Sequence, residues 1–429
     1  MKKIVLSLAG VMAAVAFAPE ASAVPVFARQ TGMACSACHF QHFPLLNGFG
    51  RAFKTSGFTM MGAQGKVEGE HLTMPNQLNM AVLTSAYLQT ESNSGGANGP
   101  KWGVPGNGGE LSIFFGGRIA EFAGFLSELG AAGAAGAAAT GAAKAVFLFP
   151  MGDSRVGFSA YTGNQGAAYG FELLNTGAAD THKMMGNPGV NKQHVAAAYA
   201  GSYLGTRTNA TGINVVASNP NMGFITIGKY ASVGPGTSNI AGQSGANNLP
   251  LTYIRAAGLF DLAGWDSAVG IQSFSGTLNN LGIASSSKAT VVDAQFQGEL
   301  GGMSTGIYVT YGTAAADAVN PNTMNAGWST INRANAGVNN VTTASSFNVA
   351  GSLELIPGIS TVQAAIRRAK NGAAVNNADN ALMLGVTYEL AQNVEVALNY
   401  TTQSGSAWSA LGAAAVGKNA TTLLLESLF

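Results

Sequence analysis

The sequence predicts an all-β fold: a transmembrane outer-membrane β-barrel of about sixteen antiparallel strands with a small N-terminal plug segment. Three observations point there. Only 10% of the 429 residues are charged and the net charge is +1, poor for a soluble chain of this size. Yet no run of about 20 apolar residues follows the N-terminal region to offer a spanning helix. Apolar residues instead alternate with polar ones over nine or ten positions, the length a tilted strand needs to cross an outer membrane. Finally, long and short connections alternate along the C-terminal half, as barrel topology requires.

Residues 1–23 read as a signal peptide. Lys2 and Lys3 precede an apolar stretch from Ile4 to Phe17, and Ala21-Ser22-Ala23 forms a cleavage site. Residues 24–75 form a cofactor-binding segment and residues 76–429 the barrel. Within the barrel, Val292, Ala294, Phe296 and Leu300 alternate with Asp293, Gln295, Gln297 and Glu299. Leu382, Leu384, Val386, Tyr388 and Leu390 likewise alternate with Met383, Gly385, Thr387 and Glu389. From Met222 onward strands start near 222, 250, 265, 288, 303, 345, 359, 381, 394 and 419. Short connections lie at Asp261–Gly264, Gly301-Gly302, Pro357-Gly358 and Ala391–Asn393, and long ones at 232–249, 276–287, 314–344, 371–380 and 404–418. The terminal Phe429 then falls on the short-turn, periplasmic side. Earlier strands are expected near 76–90, 109–129, 145–150, 154–163, 167–176, 194–205 and 212–218. Gly116-Gly117 reads either as a turn or as part of one long strand, and Ala131–Ala143 as a small-residue loop.

Cys35 and Cys38 are the chain's two cysteines, and His39 follows the second directly. This is the pattern of c-type haem attachment: each thiol adds to one vinyl group, and His39 is carried beneath the iron as the proximal ligand. A redox dithiol does not need the histidine, and no second Cys/His cluster completes a zinc site. An export signal before the motif fits covalent haem. Near-neutral charge gives no case for nucleic acid as a partner, and no P-loop, zinc-protease or nucleophile–base motif is present.

The residues around this motif carry a resemblance. Phe27-Ala28-Arg29-Gln30-Thr31-Gly32-Met33, then Phe43-Pro44-Leu45, Phe49-Gly50-Arg51-Ala52-Phe53-Lys54 and Gly57-Phe58 resemble the start of the fused outer-membrane monohaem cytochrome–porins. The resemblance covers about residues 24–62. It implies one covalent c-type haem on an N-terminal segment of a barrel, with extracellular Fe(II) or another one-electron donor and a periplasmic cytochrome or similar carrier as partners, beside outer-membrane lipid. From the residues themselves, Phe40, Phe43, Phe49, Phe53 and Phe58 can cover a porphyrin, or can simply pack a small plug core. Arg29, Arg51 and Lys54 can pair with the propionates.

A distal iron ligand is less evident. His42 and Met33 are expected on the proximal side, whereas Met60 and Met61 lie far enough along the chain to cross the haem, and methionine ligation raises the reduction potential. Their other role is plug packing, and an open sixth position is a further alternative, with His71 and Met74 weaker candidates. Asp293, Glu299, Glu389 and Glu395 are expected to face the lumen with Arg255 and Arg367, as ordinary porin lining or as carboxylates for a divalent cation. Asp180, His182 and His194 suggest a surface metal site. The leading function is electron transfer from an extracellular donor through one haem; the alternatives are a solute channel with a haem-bearing plug, or outward electron transfer. Haem staining after denaturing electrophoresis should vanish in the Cys35→Ser/Cys38→Ser variant, and full staining there would refute covalent attachment.

Overall fold

In the computed structural model the described residues are 26–43, 45–62, 64–92, 100–130, 140–162, 170–177, 210–232, 249–280, 283–317, 342–412 and 417–429. Sixteen antiparallel strands close into one barrel. In chain order they are β1 (Met80–Glu91), β2 (Leu111–Ala120), β3 (Ala123–Gly130), β4 (Thr140–Met151), β5 (Ser154–Thr162), β6 (Ala210–Asn219), β7 (Gly223–Ser232) and β8 (Leu251–Leu262). The ring continues with β9 (Trp265–Ser275), β10 (Ala289–Leu300), β11 (Met303–Ala314), β12 (Ala344–Ile356), β13 (Ser360–Asn371), β14 (Ala378–Ala391), β15 (Val394–Ser404) and β16 (Asn419–Leu428). Each strand pairs with its chain neighbour, and β16 closes the ring on β1 from Ala420↔Glu91 to Leu428↔Leu83. Two short strands, Lys101–Pro105 and Gly108–Gly109, sit where β1 parts from β2.

All ten strands expected from Met222 onward are present. Their tight turns are those the sequence marks. Gly301 and Gly302 both have positive φ (62° and 80°), the backbone that a two-residue hairpin demands and glycine adopts without strain. Phe429 exchanges backbone hydrogen bonds with Val82, so the C-terminus and the entry to β1 share the short-turn rim.

The wall is inverted relative to a soluble protein. On β10, Asp293, Gln295 and Gln297 are buried toward the lumen while Val292 is 46% exposed on the outside. Ile225, Ile227, Leu382, Leu384, Leu398, Leu423 and Leu425 are likewise outward and exposed. Among the described residues no helix is long and apolar enough to cross a membrane; the strands present an apolar belt of the kind lipid requires.

Four expectations change. Gly116-Gly117 is neither a turn nor the middle of a strand running to 129. Both lie inside β2, and the turn comes at Glu121-Phe122. Glycine is needed there because the plug presses on the wall: a Cβ at Gly116 would come within 2.8 Å of Val26 and one at Gly117 within 3.1 Å of Gln30. Thr140–Ala143 belongs to β4 rather than a loop, since pairing with Ser127–Gly130 of β3 overrides local propensity. Of the strand expected at 167–176, residues 167–169 lie outside the described residues, and 170–176 are not a strand: residues 170–177 run inside the barrel, held by side-chain bonds to the wall. Finally β1 begins at Met80 rather than 76, because Asn76 closes a hairpin with Gly65 and the Asn79 side chain accepts from Gln64. The strand expected at 194–205, and Asp180, His182 and His194, lie outside the described residues.

Leu384→Arg, in the middle of the apolar belt, should destabilise the barrel in lipid vesicles by about 2–4 kcal/mol, whereas Met222→Arg at the turn rim should cost about 0–1 kcal/mol. Equal losses in equilibrium unfolding would contradict the assigned outer face.

Candidate functional site

The N-terminal segment fills the lumen toward the short-turn rim. It holds three short helices: α1 (Val26–Thr31), α2 (Cys35–Cys38) and α3 (Gly48–Thr55). Cys35-Ser36-Ala37-Cys38 makes one turn, and the His39 amide closes it on the Cys35 carbonyl at 2.9 Å. The chain then leaves the helix, with His39 at φ −107° and ψ 142° and Gln41 at φ 62°. His42 is therefore not on a shared helical face with His39, as the sequence suggested. It turns toward β15, its Nδ1 3.9 Å from Glu395, and burial holds its imidazole below the ordinary pKa and hence neutral.

His39 Nδ1 lies 3.1 Å from the Leu45 carbonyl. Donation to that oxygen fixes the tautomer with the proton on Nδ1, the arrangement usual for an imidazole that binds a metal through Nε2. Neither cysteine is in a disulfide. Burial raises both thiols above their ordinary pKa, with Glu389 adding to the effect at Cys35 and Cys35 at Cys38. A redox dithiol needs the opposite, a stabilised thiolate. The observed chemistry of the donor set fits thioether attachment with one histidine ligand.

Asn47 holds this geometry. Its Oδ1 caps α3 by accepting from the Gly50 amide at 2.9 Å, while Nδ2 donates to the Ala37 carbonyl at 3.1 Å. Gly50 packs α3 onto the motif so closely that a Cβ would collide with the Cys38 carbonyl. The motif is then moored to the wall. Gln41 donates to the Ser304 carbonyl of β11 and accepts from Ser352 of β12, and Leu45 packs with Tyr308, Ala365 and Met383.

On the other flank, Phe27 stacks on Phe58 at 5.0 Å and meets Phe53 edge-on at 4.9 Å. This group packs against Val146, Leu148, Val216 and Phe224 of the wall. Phe58 has a left-handed backbone (φ 63°), and Gly124 of β3 leaves room for the Gly57 carbonyl beside it. Phe40 packs with the Leu45 group, Phe43 meets the His39 ring at 5.3 Å, and Phe49 is 38% exposed. Met60 packs with the Phe27 group, and Gln30 binds its carbonyl; Met61 is partly buried beside it. His71 and Met74 stand on an exposed hairpin, Lys66–Pro75.

The three expected propionate partners separate. Arg51 is buried and engages Asp266 of β9 and Gln297 of β10. Arg29 donates to the Met80 carbonyl at the rim. Lys54 remains turned into the lumen, where burial lowers its ammonium to about 8, partly offset by Glu172.

Of the expected lumen acids, Asp293 is buried with Arg255, Glu299 is exposed at the rim, and Glu389 and Glu395 flank the motif. Arg367 pairs with Asp379 at 2.8 Å, outside the plug. Glu172, unforeseen in the sequence because 167–176 read as a strand, binds Arg255 at 3.0 Å, and Thr176 donates to Asp293 at 2.6 Å. Among the described residues no three His, Cys, Asp or Glu are placed to hold a metal ion.

No family model matches the chain, and no curated protein matches it. Solved structures overlap with it loosely. A triple mutant of Rh. blastica porin has 16% identity and a TM-score of 0.47, over 82% of this chain and 100% of the porin. OmpT expressed in the outer membrane of Vibrio cholerae has 10% identity and a TM-score of 0.47, over 85% of this chain and 100% of OmpT. An OmpT mutant lacking loop L8 gives 13% and 0.47, over 82% and 99%. The barrel is shown by its own closed, hydrogen-bonded ring.

Gly50→Ala should push α3 from the motif while leaving the wall intact. Limited proteolysis should then cut the plug about tenfold faster or more, a loss of at least about 1.4 kcal/mol of local stability, with unchanged barrel migration on cold electrophoresis. Unchanged cleavage would show the contact to be dispensable.

Proposed function

We propose that this is an outer-membrane barrel whose N-terminal plug carries one c-type haem and passes single electrons from an extracellular donor to a periplasmic carrier. The observation behind it is the donor set Cys35, Cys38 and His39 inside a closed ring, with the His39 Nδ1 bound to the Leu45 carbonyl. Cys35 and Cys38 would hold the group covalently, His39 would ligate it through Nε2, and Met60 or Met61 would supply a second ligand. When bound, haem supplies a one-electron Fe(III)/Fe(II) couple. The aromatic flanks and the wall exclude bulk water, and Lys54 adds positive charge. An apolar belt about 25 Å tall separates the two sides, and a redox centre in the lumen shortens that gap for a soluble carrier. Ferrous iron as the donor comes from the resemblance to fused cytochrome–porins.

A second reading, a solute channel with a haem-bearing plug, is favoured by the polar lumen wall of Gln295, Gln363 and Asn399. Mixing the oxidised, purified protein with ferrous salt separates the two. The conduit reading expects the haem absorption to shift to its reduced form. If ferrous iron fails where a generic small reductant succeeds, the iron assignment falls. If the protein carries no haem spectrum and conducts solutes in planar bilayers, the channel reading replaces it.

A further inference from the structure

Between the plug and the wall the chain makes a two-stranded hairpin, Lys66–Gly69 with Leu72–Pro75. It stands at the short-turn rim. The Asn76 amide donates to the Gly65 carbonyl at its base, Gln64 donates to Asn79, and Leu72–Pro75 lies beside β2. Residues opposite each other in an antiparallel pair share a face. Val67 pairs with Met74 and Gly69 with Leu72, so Val67, Leu72 and Met74 make one apolar face, and all three are exposed. Lys66 with Pro75 and Glu68 with Thr73 make the other. That polar face binds itself: Lys66 lies 3.6 Å from Glu68, and Thr73 donates to Glu68 at 3.4 Å. At the tip His71 stands 3.9 Å from Glu70.

A lone two-stranded hairpin is marginal in water, and its apolar face needs a surface to cover it. The position of the hairpin says which surface. Leu78 and Met80 lead from it into β1 with outward, exposed side chains, while Asn79 between them is buried inward. Phe122, in the turn after β2, stacks on Phe149 of β4 at 4.7 Å, and both are exposed on the outer side. Aromatic side chains at this level of a barrel form the girdle that meets the boundary between lipid headgroups and acyl chains. The apolar face of the hairpin continues that girdle. A soluble partner would instead meet charges of both signs, already engaged with each other, and no field to steer it.

We propose that this hairpin is a membrane anchor: Val67, Leu72 and Met74 lie in the phospholipid leaflet on the short-turn side and fix the point where the plug leaves the lumen. An amphipathic element of this kind holds to the leaflet by burying its apolar face at the headgroup boundary. The inference rests on the barrel and not on the haem reading.

The test uses the full chain in vesicles of phosphatidylethanolamine and phosphatidylglycerol. In a Cys35→Ser/Cys38→Ser background, one further change, Leu72→Cys on the apolar face or Thr73→Cys on the polar face, takes a fluorescent label. Lipids brominated along the acyl chains should quench the label at position 72 at least about threefold more than the label at position 73. Aqueous iodide should quench them in the opposite order. If iodide quenches both alike and brominated lipid quenches neither, the face stands in water, bare or open to a soluble protein, and the proposal is overturned. A second measurement leaves the cysteines in place. Val67→Ser/Leu72→Ser/Met74→Ser, three changes on an exposed face, should speed trypsin cleavage after Lys66 at least about tenfold in vesicles, with unchanged barrel migration on cold electrophoresis. Cleavage at the wild-type rate would also overturn the proposal.

Discussion

Every other feature depends on closure of the ring, the pairing of β16 with β1 from Ala420↔Glu91 to Leu428↔Leu83. In hydrocarbon an unpaired backbone amide has no water to bind, so an open sheet edge is not tolerated. Closure removes the edge and also decides polarity. One set of alternate residues must face lipid, which sends Asp293, Gln295 and Gln297 inward and leaves Val292 outside. The lumen is therefore polar before anything fills it.

A polar lumen holds its contents by hydrogen bonds and ion pairs as much as by apolar burial. β10 shows this in layers two residues apart, roughly 7 Å along a strand. Gln297 meets Arg51 and the Leu46 carbonyl of the plug; Gln295 accepts from the Asn175 amide; Asp293 takes Thr176 and Arg255. Residues 170–177 thus join the plug to the upper wall, since Asn175 also accepts from the Leu46 amide at 2.9 Å. The two inner segments are coupled through one asparagine, and the Cys35–His39 turn is positioned by both.

Close approach of backbones then replaces side-chain fit at several points. Gly50 against Cys38, Gly116 against Val26 and Gly124 against Gly57 are each places where a methyl group has no room. None sits in a hairpin turn. In a sequence with 58 glycines, their packing role is invisible without the partner surface, and Gly116-Gly117 reads as well as a turn as it does as part of a strand for that reason.

The sequence by itself determined the barrel and the ten C-terminal strands with their turns, and it marked out the Cys35-Ser36-Ala37-Cys38-His39 motif. These are local signals: period-two alternation, glycine pairs and fixed spacing survive without knowledge of distant partners. Only the tertiary structure decided which cations remain in the lumen. Arg29, Arg51 and Lys54 look equivalent in the chain, yet Arg51 is taken by Asp266 and Arg29 by a rim carbonyl, while Lys54 joins Lys144 from a strand far away in sequence. Glu172 entered the lumen against a strand-like local pattern for the same reason. Its conformation is set by Arg255, and an ion pair across 83 residues leaves no trace in local propensity.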